Sequence, residues 1–203
     1  MLNIKKIEQL KAEQLNSELN NLKNRISPDF LFDKLHQAAE YCLTEPSYTS
    51  RILLKLSHIL RYQLYDSSRE KALLSAEVKY LNNYLTLEKE CNNKFDFKII
   101  YPESTINYLI PTSLLISFIE DSLKMLSTKN SDTWINIDFK IIDNILTFIV
   151  TDNREILNNP KEINEYTSIY RRLHLIPNQE NYSVSSRIDK YQNQYKTIFQ
   201  CRL

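Results

Sequence analysis

A chain of 203 residues without a single glycine lacks the one residue that takes positive φ at no steric cost and lets backbone approach a phosphate closely. Average usage of about 7 per cent would supply roughly fourteen. Three common nucleotide-binding devices are therefore missing: the phosphate-cradling P-loop, the dinucleotide fingerprint and the glycine-hinged lid. Any nucleotide site in this chain needs an unusual construction.

The length suits one large domain or two small ones, with enough chain to bury a core without disulfides. Cys42, Cys91 and Cys201 are odd in number and far apart, with no CxxC pair or histidine cluster beside them. They suggest neither a metal site nor a disulfide framework, and the simple inference is a reducing, cytoplasmic setting. With 26 basic and 25 acidic side chains, no net field favours nucleic acid or an anionic membrane, so direct nucleic-acid binding is not expected. No run approaches the ~18 consecutive apolar residues of a membrane span, and the first ten residues are polar, so the chain is expected to be soluble.

Helical signals come first. Ala12, Leu15, Leu19, Leu22 and Ile26 step by 3, 4, 3 and 4 residues, a short heptad seam. Ser27-Pro28 interrupts it and restarts a helix dense in apolar residues, serine serving as N-cap and proline as first helical residue. A third helix is predicted from Pro46 to about Tyr65, with Ile52, Leu53, Leu56, Ile59, Leu60 and Leu64 as its stripe. Two such hairpins make a four-helix bundle if the chain dimerises. A helix over residues 75–91 follows, and then the period changes. Residues 95–101 read as a strand and 112–125 as an apolar helix. Residues 134–140 and 145–151 read as strands joined at Asp143-Asn144, a pair that tolerates positive φ. A helix over 163–175 and a closing hairpin, 182–188 with 195–203, complete the chain. The expected class is α+β, with a helical domain over residues 1–72 and an α/β domain over 73–203.

Four local signals match one family in order. Ile26-Ser-Pro-Asp-Phe-Leu-Phe-Asp33 resembles the I-N-P-H-F-L-F-N motif of the LytS and YehU type of sensor histidine kinase. Leu56-Ser-His-Ile-Leu-Arg-Tyr62 is similar to its L-S-x-x-L-R-Y, and Tyr84-Leu-Thr-Leu-Glu-Lys89 to its Y-L-x-I-E-K. Ile110-Pro111 followed by Phe118-Ile-Glu-Asp-Ser-Leu-Lys124 resembles its I-P opening and L-V-E-N-A-I-K box. Each alone is weak, whereas the four in this order are specific. The likeness runs from about residue 10 onward and fades after Asp152. It implies a coiled coil and dimeric four-helix bundle carrying the phosphoacceptor, followed by a GHKL-like sandwich that binds ATP and magnesium.

The departures bear on chemistry. Asp29 stands at the histidine position, where a neutral imidazole would attack the γ-phosphate and hold it as a labile phosphoramidate. A carboxylate needs a metal and cations to accept phosphoryl, so Asp29 reads as a vestigial acceptor favoured by the helix dipole. His36, two turns further along, and His58 and His174 read as surface histidines. The resemblance places a vestigial ATP site at Glu120, Asp121, Lys124, Asp152 and Asn153. Glu120 keeps the general-base-like glutamate, and Asp121 replaces the magnesium-holding asparagine and could itself ligate magnesium. Asp152 is the adenine-contacting position. Arg154 and Ile156 replace the glycines of V-x-D-N-G-x-G, while Ile163 and Glu165 replace phosphate-side glycines further on.

What the resemblance implies, with these departures, is a catalytically inactive pseudo-histidine kinase of two-component signalling. It would be a homodimer, or a heterodimer with a related kinase, that docks a response regulator or partner kinase. Phe30, Leu31, Leu35, Leu53, Leu56 and Leu60 are its expected dimer interface, and no cofactor is expected. The competing reading is a divergent active kinase or phosphatase with residual Mg-ATP binding.

Overall fold

The computed structural model describes residues 28–65, 69, 71–102, 107–127, 131–154, 182–189 and 194–203. The heptad segment and the helix expected over 163–175 lie outside them. The chain divides into two compact units, Met1–Ser68 and Arg69–Leu203.

In the first unit, helices α1 (Pro28–Tyr41) and α2 (Pro46–Tyr65) pack together as a hairpin. Pro28 opens α1, where its missing N–H costs nothing. At the turn, Tyr41 and Tyr48 meet edge to face at 5.1 Å, and the Thr49 hydroxyl donates to the Ala38 carbonyl at 3.3 Å. Ile52, Leu56, Ile59 and Tyr62 of α2 and Ala38 of α1 are buried; their spacing of three and four residues along α2 keeps them on one face. Several other apolar side chains are left outside, with Phe32 69%, Leu54 61% and Leu53 45% exposed.

The second unit is an α/β sandwich, so the architecture is α+β as the sequence predicts. Strand β1 (Lys71–Leu73) leads into helix α3 (Leu74–Cys91), followed by β2 (Phe95–Ile100), β3 (Leu109–Pro111) and α4 (Ile116–Leu126). Then come β4 (Thr133–Ile142), β5 (Ile145–Asp152), β6 (Tyr182–Asp189) and β7 (Gln194–Arg202). The five-stranded sheet has the order β2-β4-β5-β7-β6. Among the described strand pairs only β2 and β4 run parallel; a tight turn cannot join parallel strands, and the chain crosses over through β3 and α4. The core follows the period of two: Thr133, Ile135, Ile137 and Phe139 of β4 and Tyr195, Thr197, Phe199 and Cys201 of β7 are buried in alternation. Against that face Phe118 of α4 meets Phe148 at 5.6 Å and Phe199 at 5.4 Å. No helix among the described residues is long and apolar enough to cross a membrane.

Two features differ from the sequence expectation. β1 and β3 pair as a small antiparallel sheet, Ala72 opposite Ile110, too short to show a period. Helix α4 starts at Ile116 instead of residue 112, because Ser113 takes φ 56° and its N–H donates to the buried Glu77 carboxylate at 2.7 Å. A helical N–H of that kind would require negative φ.

Candidate functional site

Asp152 ends β5 between Ile135 of β4 and Tyr195 of β7. It belongs to the inward-facing set of a strand that runs under α4, and it is 1% exposed. A carboxylate so enclosed needs cations or donors around it, and Arg154 supplies them. Its Nε donates to Oδ1 at 2.8 Å and its Nη2 to Oδ2 at 2.6 Å, a two-point charge-assisted pair. The Arg154 backbone N–H also donates to Oδ1, at 3.1 Å. Nη2 reaches on to the Ser122 hydroxyl of α4 at 3.1 Å, and the guanidinium carbon lies over the Tyr195 ring, 4.1 Å from its centroid. The structure thus joins α4, the end of β5 and β7 through one arginine.

The neighbouring Asn153 has a structural task. Its side-chain oxygen accepts the Trp134 N–H at 2.9 Å and its amide donates to the Asp132 carbonyl at 2.9 Å, closing the start of β4. On α4, Glu120 and Asp121 are half-buried and Lys124 is exposed. Glu120 faces α3: burial, with the Glu120 and Glu88 charges next, holds the Tyr84 hydroxyl well above its ordinary pKa, so Tyr84 stays neutral. No group of three or more His, Cys, Asp or Glu side chains suited to a metal occurs among the described residues.

In the helical hairpin, Asp29 is exposed in the first turn of α1. His36 is exposed and sits 3.4 Å from Glu40, one turn on, and His58 is exposed; His174 lies outside the described residues. Of the expected interface residues, Phe30, Leu31 and Leu60 are half-buried, Leu35 and Leu53 are exposed at 40% and 45%, and Leu56 is buried within the chain at 3%.

In the sequence Arg154 stands only as the replacement of a glycine, and Ser122 and Tyr195 carry no mark of the site. A signal for the first was present: two residues apart on an extended chain, Asp152 and Arg154 share a side and carry opposite charge. Nothing local could have brought in Tyr195, which arrives through the β5–β7 register. The structure also has an open groove of about 620 Å³ beside β2 and β4, lined by Lys89, Lys94, Lys98, Asp96 and Trp134 among others; none of the expected site residues lines it.

A histidine kinase family model matches residues 17–94. Over 125 residues the chain is 26% identical to the sensor histidine kinase YpdA of Escherichia coli K12, covering 60% of this chain and 22% of that protein. Over 117 residues it is 27% identical to the sensor protein LytS of Bacillus subtilis, covering 57% and 20%. The chain thus spans about a fifth of the length of the curated relatives it matches. A solved structure described as a bacterial phosphotransferase superposes with TM-score 0.51 at 13% identity, covering 93% of this chain and 90% of that one. The last likeness is one of fold.

Proposed function

For this chain, a relative of the LytS type of sensor histidine kinase, we propose a role in two-component signalling as a dimeric binding module that performs no phosphotransfer. The observation that carries the proposal is the Arg154–Asp152 pair. In the family the resemblance implies, the carboxylate at position 152 contacts adenine; here both of its oxygens accept from the chain's own guanidinium. The residues present do not suit ATP. Arg154 fills the space of the first glycine, and in sequence Ile156, Ile163 and Glu165 take the places of three more. By the resemblance Glu165 takes a phosphate-side place, where a negative charge repels the ligand. At the other end of the reaction, Asp29 offers no imidazole.

What the hairpin keeps is packing. Leu31, Phe32, Leu56, Leu60, Arg61 and Tyr62 match the family's motifs while the acceptor does not. The exposed Phe32, Leu35, Leu53 and Leu54 form the surface we assign to a second copy or to a related kinase, with a response regulator docking on the assembled bundle in the cytoplasm. The competing reading, a divergent kinase or phosphatase, draws on the retained Glu120 and Asp121. Calorimetric titration of the protein with Mg-ATP separates the two. The expected result is no heat of binding up to millimolar nucleotide, and saturable binding in the micromolar range would overturn the proposal.

A further inference from the structure

An arginine two residues from an aspartate ordinarily makes a solvent-facing pair that contributes little to stability. The Arg154 and Asp152 side chains are instead 12% and 1% exposed, and the enclosure around the guanidinium is itself buried, with Ser122 at 1% and Tyr195 at 7%. Its walls come from three elements, α4, the end of β5 and β7. Each wall answers one property of a guanidinium. The two carboxylate oxygens, at 2.8 and 2.6 Å, match its parallel N–H fork and its charge. The Ser122 oxygen, at 3.1 Å, takes a further N–H. The Tyr195 ring, 4.1 Å from the guanidinium carbon, covers its flat face.

We infer that Asp152, Ser122 and Tyr195 form a receptor for a planar, N–H-donating cation of the guanidine or amidine class, with Arg154 as its tethered occupant. The inference deepens the proposed function, and rests on it only for the pocket's origin as a nucleobase contact. It makes exclusion of nucleotide an autoinhibitory contact built into the chain. A ligand tethered this closely acts at an effective concentration of about millimolar or above, so dilute planar donors in solution do not displace it.

The test is thermal unfolding of the wild type, of Arg154→Ala and of Arg154→Ala combined with Asp152→Asn, each with ethylguanidinium chloride and with equal sodium chloride. Arg154→Ala is expected to gain about 3 °C from ethylguanidinium over the salt control, and the other two proteins nothing. No gain in Arg154→Ala, or the same gain in all three, would overturn the inference. A larger gain with adenosine than with ethylguanidinium at equal concentration would overturn the cation assignment and return the pocket to a nucleobase. The wild type provides a second measurement that does not depend on the folding of Arg154→Ala: hydrogen exchange at the Arg154 Nε–H, followed by NMR. It should be at least about tenfold slower than at the exposed Arg61; equal rates would overturn the inference. Phosphate transfer by the wild type would sink the proposed function and leave these results standing, whereas no ethylguanidinium gain in Arg154→Ala together with slow Nε–H exchange in the wild type would sink the receptor alone.

Discussion

Removing the Arg154 side chain would strand the Asp152 carboxylate at 1% exposure. Breaking a buried pair from one side costs about 3 kcal/mol, so Arg154→Ala should lower the urea midpoint with little change in the slope of the transition. Arg154→Lys should recover only part of the loss, since an ammonium cannot reproduce the planar fork. An unchanged midpoint in the alanine variant would mean that the pair contributes nothing. The cysteines offer a second prediction at this scale. Burial pushes the Cys201 thiol from 9.0 up to about 12, while Cys42 is exposed. A thiol-specific reagent at pH 8 should label Cys42 rapidly and Cys201 only after unfolding. The sign of the pH effect follows from the raised folded pKa: the stabilisation is complete below about pH 9 and is lost as pH rises from there towards 12. Tyr84, also raised, works in the same direction. In the sequence, position 154 is altered and its charge and spacing permit a pair with Asp152, but only the burial seen in the fold makes that pair matter.

At the scale of elements, the glycine-free composition is accommodated at turns. Asp143 and Asn144 take φ 50° and 60° between the paired Ile142 and Ile145, the backbone that a two-residue hairpin prefers and that asparagine and aspartate tolerate. Asn144→Ala places a Cβ-bearing side chain without that tolerance in the left-handed region and should cost about 1 kcal/mol, measurable by denaturant unfolding. This turn was legible because it is chemically local. So was α2, whose observed span, Pro46–Tyr65, matches the expectation, since proline sets one end and an unbroken apolar stripe the rest. The start of α4 was not legible. It depends on Glu77 of α3, which binds the Ser113 N–H at 2.7 Å from 36 residues away, and such a contact leaves no periodic trace. Glu77→Ala should therefore loosen the first turn of α4, seen as faster amide exchange at Ser113 and the residues after it, at a cost of about 2 kcal/mol.

At the scale of the whole molecule, the order of helices before mixed strands revealed an α+β chain, and four short motifs pointed to its kin. Which leucines face outward was not legible, because a stripe with six apolar positions has no mark separating the side that packs within the chain from the side left over. Leu53 is 45% exposed and Leu56 is 3% exposed. Leu53→Asp should therefore dissociate the proposed dimer while helicity is retained, whereas Leu56→Asp should unfold the hairpin, with a buried unpaired carboxylate. Light scattering with circular dichroism distinguishes the two, and a wild type that is monomeric at micromolar concentration would refute the assembly. The central claim, absence of phosphotransfer, is tested most directly by incubating the wild type and Asp29→His with γ-labelled Mg-ATP and counting protein-bound phosphate. The expected result is no label above a heat-killed control in either protein, because a restored imidazole still meets a site closed by Arg154; a labelled band in either would contradict the claim.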